Sequence, residues 1–161
     1  MMLIHRQYPA DPITVIARSG EGDAVQSFGH ETTRIVVPAE ATCGAYAIWM
    51  HAAQPGFSPP RHIHRREDEI IHVLDGELRV WCDGTAFTVG CGDTVTLPRG
   101  LPHSFRVTSA GSVRMMITVV PGGFERFYTA VARLRLPNDI PELLDISEAF
   151  GIDYVGRPLL D

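Results

Sequence analysis

The chain has the length and composition of one ordinary globular domain. Its 161 residues are 45% hydrophobic and 20% charged, so it can bury a core without disulfides. The formal net charge of −5 argues against a nucleic-acid partner, because phosphate binding needs a concentrated basic surface. No stretch approaches the roughly 18 apolar residues of a membrane-spanning helix, so we expect no membrane partner either.

The cysteines and the N-terminus bear on the cellular compartment. Cys43, Cys82 and Cys91 cannot all pair within one chain, and none of them lies in a CxxC motif. The first ten residues include charged and polar side chains and lack the apolar run of a signal peptide. These features predict a reduced, cytoplasmic protein.

Glycine and proline divide the chain into short β-prone segments. Residues 1–33 are expected to form an N-terminal strand or arm that packs on the main body. The runs that follow are rich in Val, Ile, Thr, Phe and Trp, at the near-regular spacing of an all-β sandwich or barrel. The predicted strands are 34–37, 45–51, 69–74, 78–82, 86–89, 94–97, 103–107 and 113–120.

Two Asp-Gly pairs punctuate the predicted strands. Asp75-Gly76 follows the strand at 69–74, and Asp83-Gly84 follows the strand at 78–82. The Asp-Gly pair favours two-residue turns in which both residues have positive φ. Both pairs therefore predict tight β-hairpins.

The hydrophobic period changes from two to about 3.6 after Pro121, which predicts helices. The first helix carries a single apolar stripe, formed by Phe124, Phe127, Tyr128, Val131 and Leu134. A second helix is expected to begin at Asp139, with Glu142 completing a capping box. Its inward positions would be Leu143, Leu144 and either Ala149 or Phe150.

Three histidines and one glutamate are the candidate functional residues. His62 and His64 are two residues apart and share one face of a strand. Glu69 lies five positions past His64, so the charged run 65–68 must turn, and it suits an exposed turn. Beyond that turn Glu69 would face inward together with Ile71 and Val73, leaving Ile70 and His72 outside. His103 arrives from a distant strand after a proline-rich lead-in.

Three neutral imidazoles and one carboxylate suit one divalent ion such as iron, manganese, nickel, cobalt, copper or zinc. The set leaves a coordination position for water, substrate or dioxygen, as catalytic sites do. A lone histidine in a strand is more often structural than a ligand. We give that interpretation to the remaining histidines, His5, His30, His51 and His72.

Two glycine-bounded patterns contain these residues. The first is Gly56, five residues, His62-x-His64, four residues, Glu69, six residues and Gly76. The second is Gly92, five residues, Pro98-x-Gly100, two residues and His103. The patterns resemble the two motifs of the cupin family, although Val107 stands where the second motif usually has Asn.

The resemblance implies an all-β fold, the cupin double-stranded β-helix or jelly-roll barrel, over residues 34–120. Residues 121–161 would form a short C-terminal helical extension of the same domain. It also implies that His62, His64, Glu69 and His103 are the metal ligands. A degenerate cupin that kept the fold and lost the metal is the alternative, but such members usually lose ligands and all four are present here.

The C-terminal segment resembles that of small bacterial cupins similar to quercetin 2,3-dioxygenase. This resemblance implies a metal-dependent dioxygenase that acts on a flavonol-like or other enolisable aromatic small molecule. Glu69, as ligand or base, would take the proton of the substrate hydroxyl. The alternatives are a metal-dependent isomerase or epimerase, and a metal-containing binding module without turnover. A cupin-type transcription regulator is disfavoured because no helix-turn-helix segment is apparent.

Strand parity gives candidates for an apolar substrate pocket. They are Ile71, Val73, Leu78, Val80 and Phe105, although residues at such positions are more often plain barrel core than substrate contacts. The family resemblance also implies a homodimer that pairs through its sheets. His72, Arg79 and Trp81 would then lie on the outer face that forms the interface.

Overall fold

The computed structural model describes residues 11–22, 24–28 and 31–160. Eleven strands are found there, together with a short 3-10 helix, Ala39–Thr42, and two α-helices, α1 Arg126–Val131 and α2 Ile140–Phe150. The strands are β1 Ala24–Ser27, β2 Glu31–Val37, β3 Ala47–Ala53, β4 Pro60–His64, β5 Asp68–Asp75, β6 Glu77–Cys82, β7 Thr85–Gly90, β8 Thr94–Leu97, β9 His103–Val107, β10 Val113–Val120 and β11 Ile152–Pro158.

The strands form two antiparallel sheets. The order is β1-β2-β3-β10-β5-β8 in the six-stranded sheet and β11-β4-β9-β6-β7 in the five-stranded sheet. Chain neighbours repeatedly change sheet, as in a jelly roll. The predicted all-β fold with C-terminal helices is therefore confirmed.

The core lies on the inner faces of the sheets, where alternate residues are buried. In β3, β5 and β10 every second side chain is buried, as expected of strands with one face inward. Ile117 of β10 is the register partner of both Trp49 on β3 and Ile71 on β5. These three side chains are buried and belong to one continuous hydrophobic core.

Most predicted strands have the expected position. The strands β8, β9 and β10 have the predicted bounds, and the others differ by one to three residues at their ends. β1, β4 and β11 were not among the strands predicted with bounds, although His62 and His64 were expected to share a strand. β11 returns from the C-terminal helices and pairs with β4, placing Ile152 opposite His64 and Tyr154 opposite His62. The chain after α2 is thus part of the barrel wall beside the histidines.

The two Asp-Gly turns differ. Asp83 and Gly84 have φ values of 45° and 86° and join the paired strands β6 and β7, which confirms the predicted hairpin. Asp75-Gly76 instead carries the chain from β5 in one sheet to β6 in the other, so that predicted hairpin is wrong. A Cβ on Gly76 would lie 2.9 Å from Ser109 Oγ and 3.1 Å from Val113 Cα. Glycine is needed there because the turn passes close to the start of β10 and the loop before it.

The apolar stripe of the first helix is buried as predicted, but the predicted N-terminal cap of the second helix does not form. The stripe from Phe124 to Leu134 is buried, although α1 itself covers only Arg126–Val131. α2 starts after Asp139, yet no side chain caps it, so the predicted capping box does not form. Asp139 Oδ2 accepts a hydrogen bond from the Arg135 amide, and the carboxylate of Glu142 pairs with Arg133.

The inward positions of α2 need a correction. Leu143 and Phe150 pack against the core as predicted. Leu144 is 50% exposed and Ala149 is exposed, so neither is an inward position. None of the helices in the described ranges is long and apolar enough to cross a membrane.

The residues proposed for a dimer interface do not share one face. His72 lies on β5 of the six-stranded sheet, whereas Arg79 and Trp81 lie on β6 of the five-stranded sheet. Trp81 packs against the guanidinium of Arg61, 5.0 Å from the ring centroid. The homodimer stays a prediction, without this set of residues as its interface.

Candidate metal centre

Both sheets contribute to the cluster that the sequence predicts. His62 and His64 lie on β4, and His103 lies opposite His62 on the neighbouring strand β9. Glu69 comes from β5 in the other sheet, where it faces inward as predicted. One ligand atom from each of the four side chains lies within 4.8 Å of the other three. His64, Glu69 and His103 are buried, and His62 is partly exposed.

Backbone carbonyls orient two of the imidazoles. His62 Nδ1 lies 2.8 Å from the carbonyl oxygen of Pro60, and His103 Nδ1 lies 3.0 Å from that of Leu101. A carbonyl oxygen only accepts, so both Nδ1 atoms donate a proton and both Nε2 atoms keep a lone pair. This tautomer is the one that a metal ligand coordinating through Nε2 requires.

The third imidazole lies between two carboxylates. His64 Nε2 is 3.9 Å from Glu69 Oε2, and His64 Nδ1 is 3.7 Å from Glu67 Oε2. Glu67 is 6% exposed, which corrects the expectation of a wholly exposed turn. Among the residues described, His64 Nδ1 and Glu67 Oε2 are buried without a hydrogen-bond partner. Glu67 is thus placed to orient His64 through its second nitrogen.

The two arginines of the turn are exposed and attach it to the end of α2. Arg65 Nη2 donates to the carbonyl oxygen of Glu148 at 3.0 Å, and Arg66 Nη1 donates to that of Ala149 at 3.1 Å. Carbonyls in the last turn of a helix lack intrahelical donors, so cations are favoured there. The segment between His64 and Glu69 is therefore held by the C-terminal helix.

The start of β5 is held by an ion pair next to Glu69. Arg99 donates to Asp68 through Nε and Nη2, at 3.0 and 2.9 Å. These side-chain bonds, and a further bond from the Arg99 amide, lower the pKa of Asp68 to about 2. Asp68 therefore stays ionised, and the pair fixes the residue before Glu69 to the Pro98-x-Gly100 turn.

The charge states in the cluster suit metal coordination. Burial, followed by the charges of His64 and His103, lowers the pKa of His62 to about 3, so its imidazole is neutral at neutral pH. Burial alone would raise the pKa of Glu69. The nearby His103 ring, 3.4 Å away, and the other two imidazoles outweigh burial and lower that pKa to about 2. Neutral imidazole and ionised carboxylate are the forms that bind metals.

A cavity of about 390 Å³ opens beside the cluster. All four candidate ligands line it, and the rest of its wall is mainly apolar and aromatic. The aromatic residues of the wall are Phe28, Phe57, Phe105, Phe124, Phe127, Tyr128 and Tyr154. Leu136 and Leu144, which also line the cavity, are 46% and 50% exposed and so lie at its opening.

The predicted pocket residues are mostly elsewhere. Phe105 lines the cavity, but Ile71, Val73, Leu78 and Val80 are fully buried in the hydrophobic core. Strand parity identifies the inner face and not the depth along the barrel axis, which explains the error. Sequence reasoning missed the lining from loops and helices. For Phe124, Phe127 and Tyr128 the signal was the helical stripe, which was interpreted only as packing.

The other histidines have different surroundings. His51 is buried between Thr33 and Glu31, and His72 contacts Thr94 Oγ1 through Nδ1 at 2.8 Å. His5 and His30 lie outside the described residues. Within the described ranges, His62, His64, Glu69 and His103 are the cluster whose geometry could hold a metal ion.

Comparison with known proteins agrees with this geometry. Residues 49–120 match the family model described as a cupin domain. The chain is 28% identical to quercetin 2,3-dioxygenase of Bacillus subtilis over 123 residues, which are 76% of this chain and 36% of that protein. It is 34% identical to the HTH-type transcriptional regulator PuuR of Escherichia coli over 78 residues, 48% of this chain and 42% of that protein. The chain thus spans well under half of each of these two relatives.

A solved structure supports the fold. The structure of KdgF from Halomonas superposes with a TM-score of 0.62 at 17% identity, covering 68% of this chain and 96% of that one. At such low identity the structural similarity is evidence for the fold alone. The cluster lies within residues 62–103, inside the matched segment. Residues 49–120 therefore match a cupin domain, and the two sheets that contain them form a cupin-type jelly roll.

Proposed function

We propose that the protein is a metal-dependent dioxygenase, quercetinase-like, that acts on a flavonol-like or other enolisable aromatic small molecule. The observation that carries the proposal is the set of three imidazoles and one carboxylate in the wall of an aromatic cavity. The similarity to quercetin 2,3-dioxygenase supports the reaction class, over 36% of that relative's length.

The residues present fit one divalent ion. His62, His64, Glu69 and His103 would hold it, with the imidazoles of His62 and His103 bound through Nε2. The ion would supply a Lewis acid and a common place for substrate oxygen and dioxygen. Iron, manganese, nickel, cobalt, copper and zinc all accept such ligands, and cellular supply as well as affinity decides among them.

The wall of the cavity would bind the substrate and exclude water. Phe57 and Phe105 contact each other, with ring centroids 6.2 Å apart, and Phe124 lies edge-on to His64 at 4.4 Å. Such a lining buries the rings of an aromatic substrate and keeps water from its reactive carbon. The wall has few of the polar groups that a sugar would need, which disfavours an isomerase or epimerase of sugars.

Glu69 handles the proton of the substrate hydroxyl in this proposal. Its carboxylate is ionised and faces both His64 and His103. A base works best when its pKa lies near the working pH, whereas the pKa of Glu69 is about 2. Glu69 is therefore suited to act mainly as a ligand and to hold the proton only briefly.

The test combines metal content with oxygen uptake. Elemental mass spectrometry on protein purified without an affinity tag should find about one redox-active ion per chain in the wild type. His62→Ala should lose the ion, and His72→Ala, a histidine of β5 outside the cluster, should retain it. The loaded wild type should consume oxygen when a flavonol is added, and His62→Ala should not.

Other outcomes separate the alternatives. A loaded protein that consumes no oxygen with flavonols would contradict the dioxygenase and favour an isomerase or a binding module. Failure of the wild type to take up any metal during reconstitution would identify a degenerate cupin that kept only the fold.

A further inference from the structure

A second polar cluster reaches the same cavity through one of its residues, away from the candidate ligands. The inner faces of β2 and β3 carry Glu31, Thr33 and His51, where the neighbouring strands carry apolar residues. These three side chains, and Ser27 at the end of β1, are 0–7% exposed. Buried polar groups in a β-sheet core are costly, so a complete cluster of four needs an explanation.

The cluster holds the Glu31 carboxylate in one orientation. His51 Nε2 lies 3.1 Å from Glu31 Oε1, and Ser27 Oγ donates to Glu31 Oε2 at 3.1 Å. The other ring nitrogen of His51 contacts Thr33 Oγ1 at 2.9 Å, and Thr33 lies opposite His51 in the strand register. Each oxygen of Glu31 thus has one partner, and the imidazole is fixed from both sides.

Glu31 alone of these four lines the cavity. A carboxylate has about four lone-pair positions, and the described residues contact two of them through His51 and Ser27. The remaining positions can accept hydrogen bonds from a molecule in the cavity. The carboxylates that line the cavity are those of Glu31 and Glu69, and most of the remaining wall is aromatic.

The position of Glu31 suits a second anchor for a bound molecule. Glu31 is on β2, and β3 and β10 separate it from Glu69 on β5. Three strand spacings correspond to roughly 14 Å across the sheet, and the register also offsets the two residues along the strands, since Glu31 aligns with Val113 of β10 and Glu69 with Val119. Both carboxylates act on Tyr128, which also lines the cavity. Burial first, and then Glu31 and Glu69, raise the pKa of Tyr128 well above its ordinary value, so its hydroxyl stays protonated between them.

We infer that Glu31 is a specificity residue that accepts a hydrogen bond from a phenolic hydroxyl of the substrate, on a ring distant from the metal-binding end. His51 and Ser27 are positioning residues that hold its carboxylate toward the cavity. The inference rests on the proposed function and adds to it a hydroxyl at both ends of the substrate. An aromatic molecule without the second hydroxyl would leave the buried carboxylate without that partner and bind more weakly.

The experiment measures binding, without turnover, to metal-loaded protein under anaerobic conditions. The probes are 3-hydroxyflavone and its 7-hydroxy and 4′-hydroxy derivatives, with dissociation constants from fluorescence titration. The wild type should bind one hydroxylated derivative about tenfold or more tightly than 3-hydroxyflavone, because hydrogen bonds to charged groups contribute about 1.5–3 kcal/mol. Glu31→Gln should reduce this ratio to about threefold or less.

Two further variants serve as a substitute for Glu31→Gln and as a control. Glu31→Asp keeps the charge but withdraws it from the cavity, and should also reduce the ratio if Glu31→Gln does not fold. Glu77→Gln replaces an exposed carboxylate that bonds to Thr108 and does not line the cavity, and it should keep the wild-type ratio. Folding of each variant is checked by thermal unfolding, and loading by metal content.

The outcomes distinguish this inference from the proposed function. If 3-hydroxyflavone binds but the ratio is near one in the wild type, or is unchanged in both Glu31 variants, the role of Glu31 is wrong and the proposed function stands. If no probe binds the loaded wild type, the flavonol-type substrate is wrong, and the role of Glu31 fails with it.

Discussion

The side chains of the candidate metal cluster are oriented by neighbouring groups that are not themselves ligands. The carbonyls of Pro60 and Leu101 select the tautomer of His62 and His103. No carbonyl of the described residues bonds to His64 Nδ1, and the buried carboxylate of Glu67 faces this nitrogen instead. Mutation of outer partners of this kind typically lowers metal affinity or activity about 10- to 100-fold.

Replacing Glu67 with glutamine should therefore weaken metal binding. Glu67→Gln removes the charge that faces His64 Nδ1 and should lower the affinity for a divalent ion about 10- to 100-fold. Competition with a chromophoric chelator measures the change. Glu77→Gln is the control, because Glu77 is exposed and bonds to Thr108, away from the cluster. Equal affinities in wild type and Glu67→Gln would remove Glu67 from the site.

At the scale of elements, the two Asp-Gly turns have the same glycine backbone conformation but differ in how closely other atoms pack against it. Gly76 and Gly84 both have φ of +86°. A Cβ on Gly84 has nothing within 4 Å among the described residues, whereas one on Gly76 would overlap Ser109 and the backbone of Val113. The first glycine joins two sheets, and the second closes a hairpin at the surface.

Alanine substitution at the two positions should give different losses of stability. Gly84→Ala should lower the free energy of unfolding by about 1–2 kcal/mol, because an L-residue is strained at positive φ. Gly76→Ala carries the same strain and should lose about 1–3 kcal/mol more through overpacking. Urea denaturation measures both. Similar losses in the two variants would show that Ser109 and the start of β10 can move to accommodate the added methyl group.

At the scale of the whole molecule, the candidate ligands come from both sheets. β4 and β9 belong to the five-stranded sheet and β5 to the six-stranded sheet, and β11 and α2 hold the region around β4 in place. A bound ion would therefore link the two sheets and stabilise the folded state over the unfolded one.

Metal should raise the thermal stability of the wild type. At a free-ion concentration a thousandfold above the dissociation constant, linkage adds about 4 kcal/mol, or roughly 10 °C in melting temperature for a domain of this size. Calorimetry with and without a chelator measures the shift. His62→Ala should lose most of it, and His72→Ala should keep it. A shift of the same size in His62→Ala would place the stabilising ion elsewhere.

The all-β class and the inward orientation of His62, His64 and Glu69 could be predicted from local spacing, whereas placing His103 beside them rested on the resemblance to the cupin motifs, because His103 lies on a distant strand. Alternation in 69–74 places Glu69 inward, and His62-x-His64 needs only a strand to put both imidazoles on one face. The Asp83-Gly84 hairpin depends likewise on two adjacent residues. In each case the chemistry that decides the structure lies within a few residues of the chain.

Tertiary structure alone decided the cavity, the burial of Glu67 and the role of the C-terminal strand. Tyr154 reaches His62 through the pairing of β11 with β4, more than 90 residues along the chain. Glu31 meets His51 only because β2 lies beside β3. Asp75-Gly76 has a hairpin sequence but no neighbouring strand to pair with across the turn, since β5 and β6 belong to different sheets. Local sequence determines which face of a strand a residue occupies, whereas the contacts of that face depend on which distant strands pack beside it.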